Sequence, residues 1–204
     1  TRSRVGDAKF KDISGPAGLP DGIIDSYDRT IIGSPYPDFF YGMTNRFSYN
    51  RLTLSVSLNG VYGNKIFSNA RRMGLRSEFR VAQLALANNF WRSESEPGDG
   101  NTPRPNDEPT GGIRDPSTRH LEDGTYLRIN NISLGYSLPD NLVQKMRLGS
   151  IRLYVTASNP FLFSKTAGFN PDVSNSNSSL TPGIDNNNYP LSRTIMLGIN
   201  VGFQ

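Results

Sequence analysis

Apolar and polar side chains alternate along five stretches of the chain, a pattern typical of β-strands with one apolar and one polar face. In 51–62, Leu52, Leu54 and Val56 share one parity, while threonine, serine and asparagine hold most of the other. The predicted strands are 38–49, 51–62, 127–138, 151–161 and 193–203. The pattern therefore predicts an all-β protein.

The first two strands are predicted to form a hairpin with a defined register. A two-residue turn at Asn50 and Arg51 would place Tyr49 opposite Leu52. Because cross-strand partners share a face, the same register gives the further pairs Phe47 with Leu54, Met43 with Leu58, Phe39 with Tyr62, Ser48 with Thr53, Arg46 with Ser55, and Thr44 with Ser57. Nearly every apolar residue then lies on one side, and Asn45 opposite Val56 is the polar exception.

The predicted strands are longer than those of most soluble β-proteins, which usually have about five or six residues. Twelve residues at about 3.3 Å each span about 40 Å, and a 45° tilt projects that length to about 28 Å. An outer-membrane barrel has an apolar band about 25 Å tall. No charged side chain interrupts the apolar faces of 52–58, 151–157 and 195–203. Length and charge together favour a transmembrane antiparallel β-barrel.

Aromatic residues mark both ends of the predicted strands, as in the interfacial girdles of membrane barrels. One row holds Tyr49, Tyr136 and Phe203, and the other holds Phe39, Tyr62 and Phe161. Five strands cannot close a barrel, so the remaining strands are expected from residues or chains outside this sequence.

The connections between the strands are unequal in length. Those at 50–51 and 139–150 are short, whereas 63–125 and 164–192 are long and rich in Asn, Pro, Ser and Gly. Periplasmic turns of such barrels are short and external loops are long, so the long segments are predicted to be external. The predicted organisation is an extracellular loop region at 1–37 with an Asp/Gly-rich segment, followed by barrel strands and loops over 38–203. A helical spacing of apolar residues predicts a short helix within 69–91.

Composition excludes several kinds of site. The chain has no cysteine and one histidine, His120, which rules out a thiolate site and argues against a histidine-based metal centre. The 22 basic and 18 acidic residues are scattered, without the basic stripe that nucleic-acid binding requires. No apolar run reaches the roughly 18 residues that a membrane-spanning helix needs. We identify no catalytic constellation, expect His120 to be a solvated loop residue, and predict that the protein is not an enzyme.

Two other classes of protein also have alternating strands. One is a secreted or surface carbohydrate-binding β-sandwich without transport activity, whose core face alternates in the same way. The other is a structural adhesin barrel. Strand length and the inequality of the loops favour the membrane barrel over the sandwich.

Short motifs in a fixed order carry a family resemblance over nearly the whole chain. They are GDAKFKD at 6–12, DGIID at 21–25, DRTIIG at 28–33, PDF at 37–39, GVYGN at 60–64, EDGTYLR at 122–128, LGYSLP at 134–139, RLYV at 152–155, SNPF at 158–161, GFNPD at 168–172 and YPLSRT at 189–194. In this order they resemble the C-terminal part of SusC/RagA-type TonB-dependent outer-membrane transporters.

The resemblance implies a plugged barrel of 22 strands in the outer membrane of a Gram-negative bacterium. It implies a SusD-like surface lipoprotein as partner, and contact with TonB through an N-terminal part that is absent here. It also implies import of oligosaccharides or oligopeptides.

Seven residues are candidates for binding sites. Members of the family often carry a compact Asp-x-Asn-Gly-Asp-Gly-x-Ile-Asp run that resembles a calcium loop. The corresponding candidates for a structural calcium are Asp12, Ser14, Asp21 and Asp25. An insertion at 16–20 separates them, so an Asp-rich surface loop without any cofactor is the favoured interpretation. Trp91, Tyr126 and Tyr189 are candidates for stacking on sugar rings, although packing between loops is the commoner role of such aromatics.

Overall fold

The structure, a computed structural model, describes residues 4–74, 85–104, 116–173 and 182–203. Its strands are β1 (Phe39–Tyr49), β2 (Leu52–Tyr62), β3 (Lys65–Ser68), β4 (Leu121–Asp123), β5 (Tyr126–Ser137), β6 (Ser150–Ser164), β7 (Ile184–Asp185) and β8 (Thr194–Gly202). Its α-helices are α1 (Asn69–Gly74) and α2 (Asp140–Lys145). The chain divides into two compact units, a strand unit over 35–65, 123–173 and 188–204 and a loop unit over 1–34, 66–122 and 174–187.

The strand unit is a five-stranded sheet in the order β1-β2-β5-β6-β8, with every neighbouring pair antiparallel. The predicted hairpin register is confirmed from Phe39 opposite Tyr62 to Tyr49 opposite Leu52. Asn50 adopts a φ of 52° at the turn, a conformation that asparagine tolerates better than most residues. The alternation of side chains and one short turn together fix the register, because a slip by one residue would reverse both faces.

The two faces of this sheet differ sharply in chemistry. One face carries a continuous series of apolar cross-strand partners, among them Leu54, Leu134, Val155 and Leu197 at one level of the sheet. Leu197, on the edge strand, is 84% exposed. The other face carries mainly Ser, Thr, Asn and Gly. A soluble sandwich covers its apolar face with a second sheet, whereas here the apolar side chains of β1 and β8 are exposed.

A β-bulge interrupts the ladder between β5 and its neighbours. Asn159 and Pro160 of β6 lie opposite the single residue Asn130, and Asn159 has a φ of 49°. Proline cannot donate to a ladder and is confined to edges and bulges, so the bulge accommodates Pro160 inside a strand. The bulge also keeps Ile129 and Ile132 on the same face although their numbers differ in parity.

The loop unit contains a small sheet in the order β4-β3-β7, in which β3 and β7 run parallel. The sequence pattern predicted only loops here, because strands of two to four residues are too short to show alternation. Helix α1 and a 3-10 helix at Ala85–Asn89 fall within the predicted helical segment 69–91, and residues 75–84 of that prediction lie outside the described residues. No helix in the described parts of the chain is long and apolar enough to cross a bilayer.

Candidate functional site

Two of the sequence motifs meet where β2 and β5 emerge from the sheet. The Gly124 amide donates to the Asn64 carbonyl at 2.9 Å, and the Gly63 amide donates to Thr125 Oγ1 at 3.3 Å. A Cβ on Gly124 would overlap the side-chain amide of Asn64. The glycine is therefore required by the close approach of the two segments, and the motifs GVYGN and EDGTYLR form one structural element.

Asp123 fastens this element to the start of the next long loop. Its Oδ1 accepts from the Thr125 amide at 3.0 Å, and its Oδ2 lies 3.5 Å from Lys165 Nζ. Hydrogen bonds from Thr125 hold the pKa of Asp123 below its usual value, and the bond from the Thr125 side chain has a larger effect than the bond from its amide. Since both partners of the ion pair are partly exposed, the pair defines geometry more than it adds stability.

A buried arginine links two further motifs at the same end of the sheet. Arg128, on the polar face of β5, donates from NH2 to Asn170 Oδ1 at 2.9 Å and from NH1 to Asp172 Oδ2 at 3.3 Å. Its side chain is only 7% exposed, and its guanidinium lies 5.1 Å from the centre of the Tyr126 ring. Arg128 thus attaches the GFNPD segment to the polar face of the sheet. Its signal in the sequence was a charge at a polar position of an otherwise uncharged strand.

In the loop unit, polar contacts join segments that are far apart in sequence. Arg104 Nε donates to Asp7 Oδ1 at 2.6 Å, and the Arg104 amide donates to the Gly6 carbonyl at 2.8 Å. The Trp91 ring lies against Gly6, where any Cβ would overlap it. The N-terminal segment is therefore anchored on the first long loop.

His120 is buried, which corrects the expectation that it is a solvated loop residue. Its relative exposure is 0%, its ring lies 5.7 Å from that of Phe67, and Nδ1 lies 3.5 Å from Ser117 Oγ. The 3-10 helix Thr118–His120 turns the imidazole inward. The residue pattern could not reveal this, because the surrounding segment is polar and lacks a long apolar run.

The structure places the three aromatic candidates in different environments. Tyr126 is buried on β5, and Trp91 packs on Gly6. Tyr189 is 87% exposed. Stacking on a sugar requires an open ring face, and Tyr189 is the most exposed of the three candidates.

Each of the four calcium candidates makes a hydrogen bond to the main chain. Asp12 accepts from the Gly22 amide at 2.6 Å, Asp21 from Ile23 at 2.9 Å, and Asp25 from Tyr27 at 2.8 Å, while Ser14 Oγ donates to the Gly15 carbonyl at 3.5 Å. Within the described residues, no three His, Cys, Asp or Glu side chains are grouped as metal ligands would be. A calcium loop requires carboxylates that converge on one ion, and calcium binding by these residues stays a prediction.

Comparisons with known proteins agree with the fold. No protein-family model matches the chain. The TonB-dependent receptor P26 of Formosa agariphila is 31% identical over 206 aligned residues, which cover 98% of this chain and 20% of that protein. The TonB-dependent receptor SusC of Bacteroides thetaiotaomicron is 28% identical over 193 residues, which cover 90% of this chain and 17% of that protein. The chain thus spans about one fifth of the length of the curated relatives it matches.

Solved structures give the same architecture. The RagAB peptide transporter superposes with a TM-score of 0.74 at 22% identity, over 94% of this chain and 20% of the matched chain. The open-open state of the RagAB peptide importer superposes with a TM-score of 0.72. At this identity the superpositions establish the fold alone. With the sequence identity along nearly the whole chain, they confirm the predicted resemblance: the chain belongs to the SusC/RagA-type TonB-dependent transporters, and its sheet is a segment of their transmembrane barrel.

Proposed function

We propose that the protein containing this chain imports nutrients across the outer membrane of a Gram-negative bacterium, with energy supplied through TonB. The observation that carries this proposal is the two-faced sheet, in which an uncharged apolar face is exposed opposite a polar one. Such a sheet is stable where lipid covers one face and water or protein the other. The identity to TonB-dependent receptors over 98% of the chain supports the same function.

The proposed solutes are oligosaccharides or oligopeptides, delivered with the help of a SusD-like surface lipoprotein. One relative is SusC itself, and the superposed structures are described as a peptide importer. The loop unit is the proposed platform for the lipoprotein, because long ordered loops of barrels commonly serve binding rather than simple chain reversal. The packed contacts of Asp7, Trp91 and His120 support an ordered platform.

The orientation in the membrane follows from the unequal connections and is part of the proposal. The turns at 50–51 and 139–150 face the periplasm, and the long loops face outward. A cysteine replacing the exposed Tyr189 should react with an impermeant maleimide on intact cells, whereas a cysteine replacing Gln144 in α2 should react only after the outer membrane is permeabilised. Labelling of position 144 alone on intact cells would reverse the orientation.

Transport itself is tested with the full-length protein in its own bacterium. Cells that carry the intact gene should take up its glycan or peptide substrate, and cells that lack the gene or TonB should not. A tagged transporter should co-purify with a surface lipoprotein. Uptake that persists without TonB, together with the absence of any lipoprotein, would contradict the proposal.

A further inference from the structure

The connection between β5 and β6 is longer than a chain reversal requires. Asn50 and Arg51 alone join β1 to β2, whereas the connection at 138–149 contains the helix α2. Because the sheet order is β1-β2-β5-β6-β8, the hairpin of β5 and β6 has a strand of this chain on each side. The outer surface around α2 is therefore bordered by β2 and β8.

Helix α2 lies against the apolar face of the sheet. Ile151 belongs to that face, since its partner Val201 shares the parity of Leu197. Ile151 is only 8% exposed, although Leu153, the next residue of β6 on that face, is 42% exposed. Val143 of α2 is also buried, and α2 packs against β6. The end of a strand has few neighbours within its sheet, so the cover of Ile151 comes from α2.

Two further apolar side chains at α2 are exposed. Leu142 and Met146 are four residues apart, so they lie on one side of the helix, next to Val143. Tyr136 lies on the apolar face shortly before α2 and belongs to one of the two aromatic rows. Such rows mark the membrane interface of barrels. The exposed side of α2 therefore continues the lipid-facing surface at the level of the lipid headgroups.

The end of α2 carries two exposed cations. Lys145 is in the last turn of the helix, and Arg147 follows its C-cap. In the part of the chain that the structure describes, neither side chain forms an ion pair. The only acid within 134–154 is Asp140, which lies 3.2 Å from Arg51. The surface around Lys145 and Arg147 is therefore positively charged and attracts anions.

Arg147 occupies a backbone position at which glycine is usual. The Arg147 amide donates to the Gln144 carbonyl at 2.9 Å, and the Leu148 amide donates to the Val143 carbonyl at 3.2 Å, which together form a Schellman motif. Arg147 has a φ of 57°, a conformation that is unfavourable for a residue with a Cβ. An arginine at this position adds a cation that the turn itself does not need.

We propose that α2 lies in the periplasmic leaflet of the outer membrane and binds the phosphate of an anionic phospholipid through Lys145 and Arg147. This inference rests on the proposed function, which places this turn on the periplasmic side. Leu142 and Met146 contact the acyl chains, while the long side chains of the two cations extend to the phosphate at the interface. The apolar strand face accepts any acyl chain, whereas α2 adds a preference for one class of headgroup.

The experiment uses the full-length transporter in vesicles of phosphatidylcholine and phosphatidylglycerol. A single bimane label on Leu142→Cys reports the neighbouring lipids, because bromine atoms on their acyl chains quench it at short range. The bromine is carried by phosphatidylglycerol in one preparation and by phosphatidylcholine, at the same mole fraction, in another. The ratio of the two quenching efficiencies measures the local preference for the anionic headgroup. Both lipids occupy both leaflets, so the ratio does not depend on the orientation of the protein.

Four further substitutions are combined with the label. Arg147→Gly removes the cation and keeps the turn, because glycine is favoured in this conformation, and Arg147→Lys keeps the charge. Lys145→Gln removes the second cation. The control, Arg193→Gln, removes an exposed arginine near Phe161, at the opposite end of the sheet.

We expect phosphatidylglycerol to quench the label more strongly than phosphatidylcholine. Arg147→Gly and Lys145→Gln should each lower the preference, by about fivefold at low salt. Arg147→Lys and the control Arg193→Gln should retain it. Arg147→Gly should not lower the melting temperature, which separates a loss of lipid binding from a loss of folding.

Three outcomes would overturn the inference. They are equal quenching by the two lipids, no quenching by either lipid, and a loss of preference in Arg193→Gln as large as in Arg147→Gly. None of them affects TonB-dependent uptake, so the import function would stand. Labelling of position 144 on intact cells would instead reverse the orientation, which is a failure of the proposed function and not of lipid binding.

Discussion

The strand unit and the loop unit are stabilised in opposite ways. In the strand unit one simple rule, alternation of apolar and polar residues, sets the register of every ladder and the chemistry of both faces. In the loop unit single polar residues join distant segments, as Asp7 does with Arg104 and as Asp99 does within its own turn. The sheet should therefore tolerate substitutions that keep apolar residues on one face and polar residues on the other. The loop unit should depend on a few particular atoms.

The largest effect is expected from a charge placed on the apolar face of the sheet. Leu197 and Met196 are adjacent on β8, and both are exposed on opposite faces. Leu197→Arg should destabilise the barrel by about 2–4 kcal/mol, the cost of a lipid-facing arginine near the midplane. Met196→Arg should assemble normally because it faces the aqueous interior. Heat-modifiable migration of the full-length protein on gels measures assembly, and equal yields of the two variants would contradict the assignment of the faces.

A smaller effect is expected where the sheet holds a loop through Arg128. Asp172→Ala leaves the buried guanidinium without its carboxylate, which should cost about 1–3 kcal/mol of local stability. Arg128→Leu should cost less, since Asp172 is 59% exposed and water can solvate it. Hydrogen exchange of the amides in 165–173 reports this difference. Faster exchange in Arg128→Leu than in Asp172→Ala would contradict the explanation.

Much of the strand unit was predictable because apolar and polar side chains alternate along each strand, and this alternation can be read from neighbouring residues alone. The hairpin register followed from the alternation of apolar residues on both strands and from the two-residue turn between Tyr49 and Leu52. The bulge was not predicted, although the apolar residues change parity between Ile129 and Ile132. The contacts of the loop unit were not predictable. Nothing in the sequence pairs Arg104 with Asp7 or buries His120, because such contacts arise from the folded path of a long polar chain.

The candidate site was also predictable only in part. The aromatic candidates were chosen by residue type, and the structure leaves only Tyr189 among the three strongly exposed. The arginines of the polar face gave a weaker signal, a charge at a polar strand position, and their surroundings appear only when neighbouring strands are aligned. Gly135 and Gly198 leave space for the side chains of Arg152 and Tyr154 on the neighbouring strand, which the sequence of a single strand does not show.

A milder effect concerns acid, and it applies to the loop unit only. Asp99 accepts hydrogen bonds from the Thr102 and Asn101 amides. These bonds hold the pKa of Asp99 below its usual value, and the bond from Thr102 has the larger effect. Because the pKa of Asp99 is lower in the folded protein, the ionised carboxylate stabilises its turn at pH values above the pKa of the unfolded chain, about 3.9. This stability is lost as the pH falls through the lower folded value. Exchange at Asn101 and Thr102 should therefore become less protected below about pH 4, and Asp99→Asn should abolish that dependence.

The smallest effect is expected from removal of calcium. The Asp28 carboxylate accepts from the amides of Asp25, Ile13 and Ser14, which hold its pKa below the usual value. These bonds join Asp28 to residues 13, 14 and 25 of the Asp-rich segment. A chelator should leave the proteolysis of 10–30 unchanged, whereas Asp28→Ala should accelerate it. If protection from proteolysis required added calcium, this explanation would be wrong, and the calcium loop implied by the family resemblance would be the better interpretation.

The central claim is that lipid covers the apolar face of the sheet and an aqueous interior covers the polar face. Nitroxide labels at Leu54, Leu197, Ser55 and Met196 of the full-length transporter in lipid vesicles test it most directly. Collision with oxygen reports lipid, and collision with a soluble nickel chelate reports water. Labels at 54 and 197 should collide with oxygen and exclude the nickel chelate, while labels at 55 and 196 should do the reverse. Equal nickel accessibility at all four positions would contradict it.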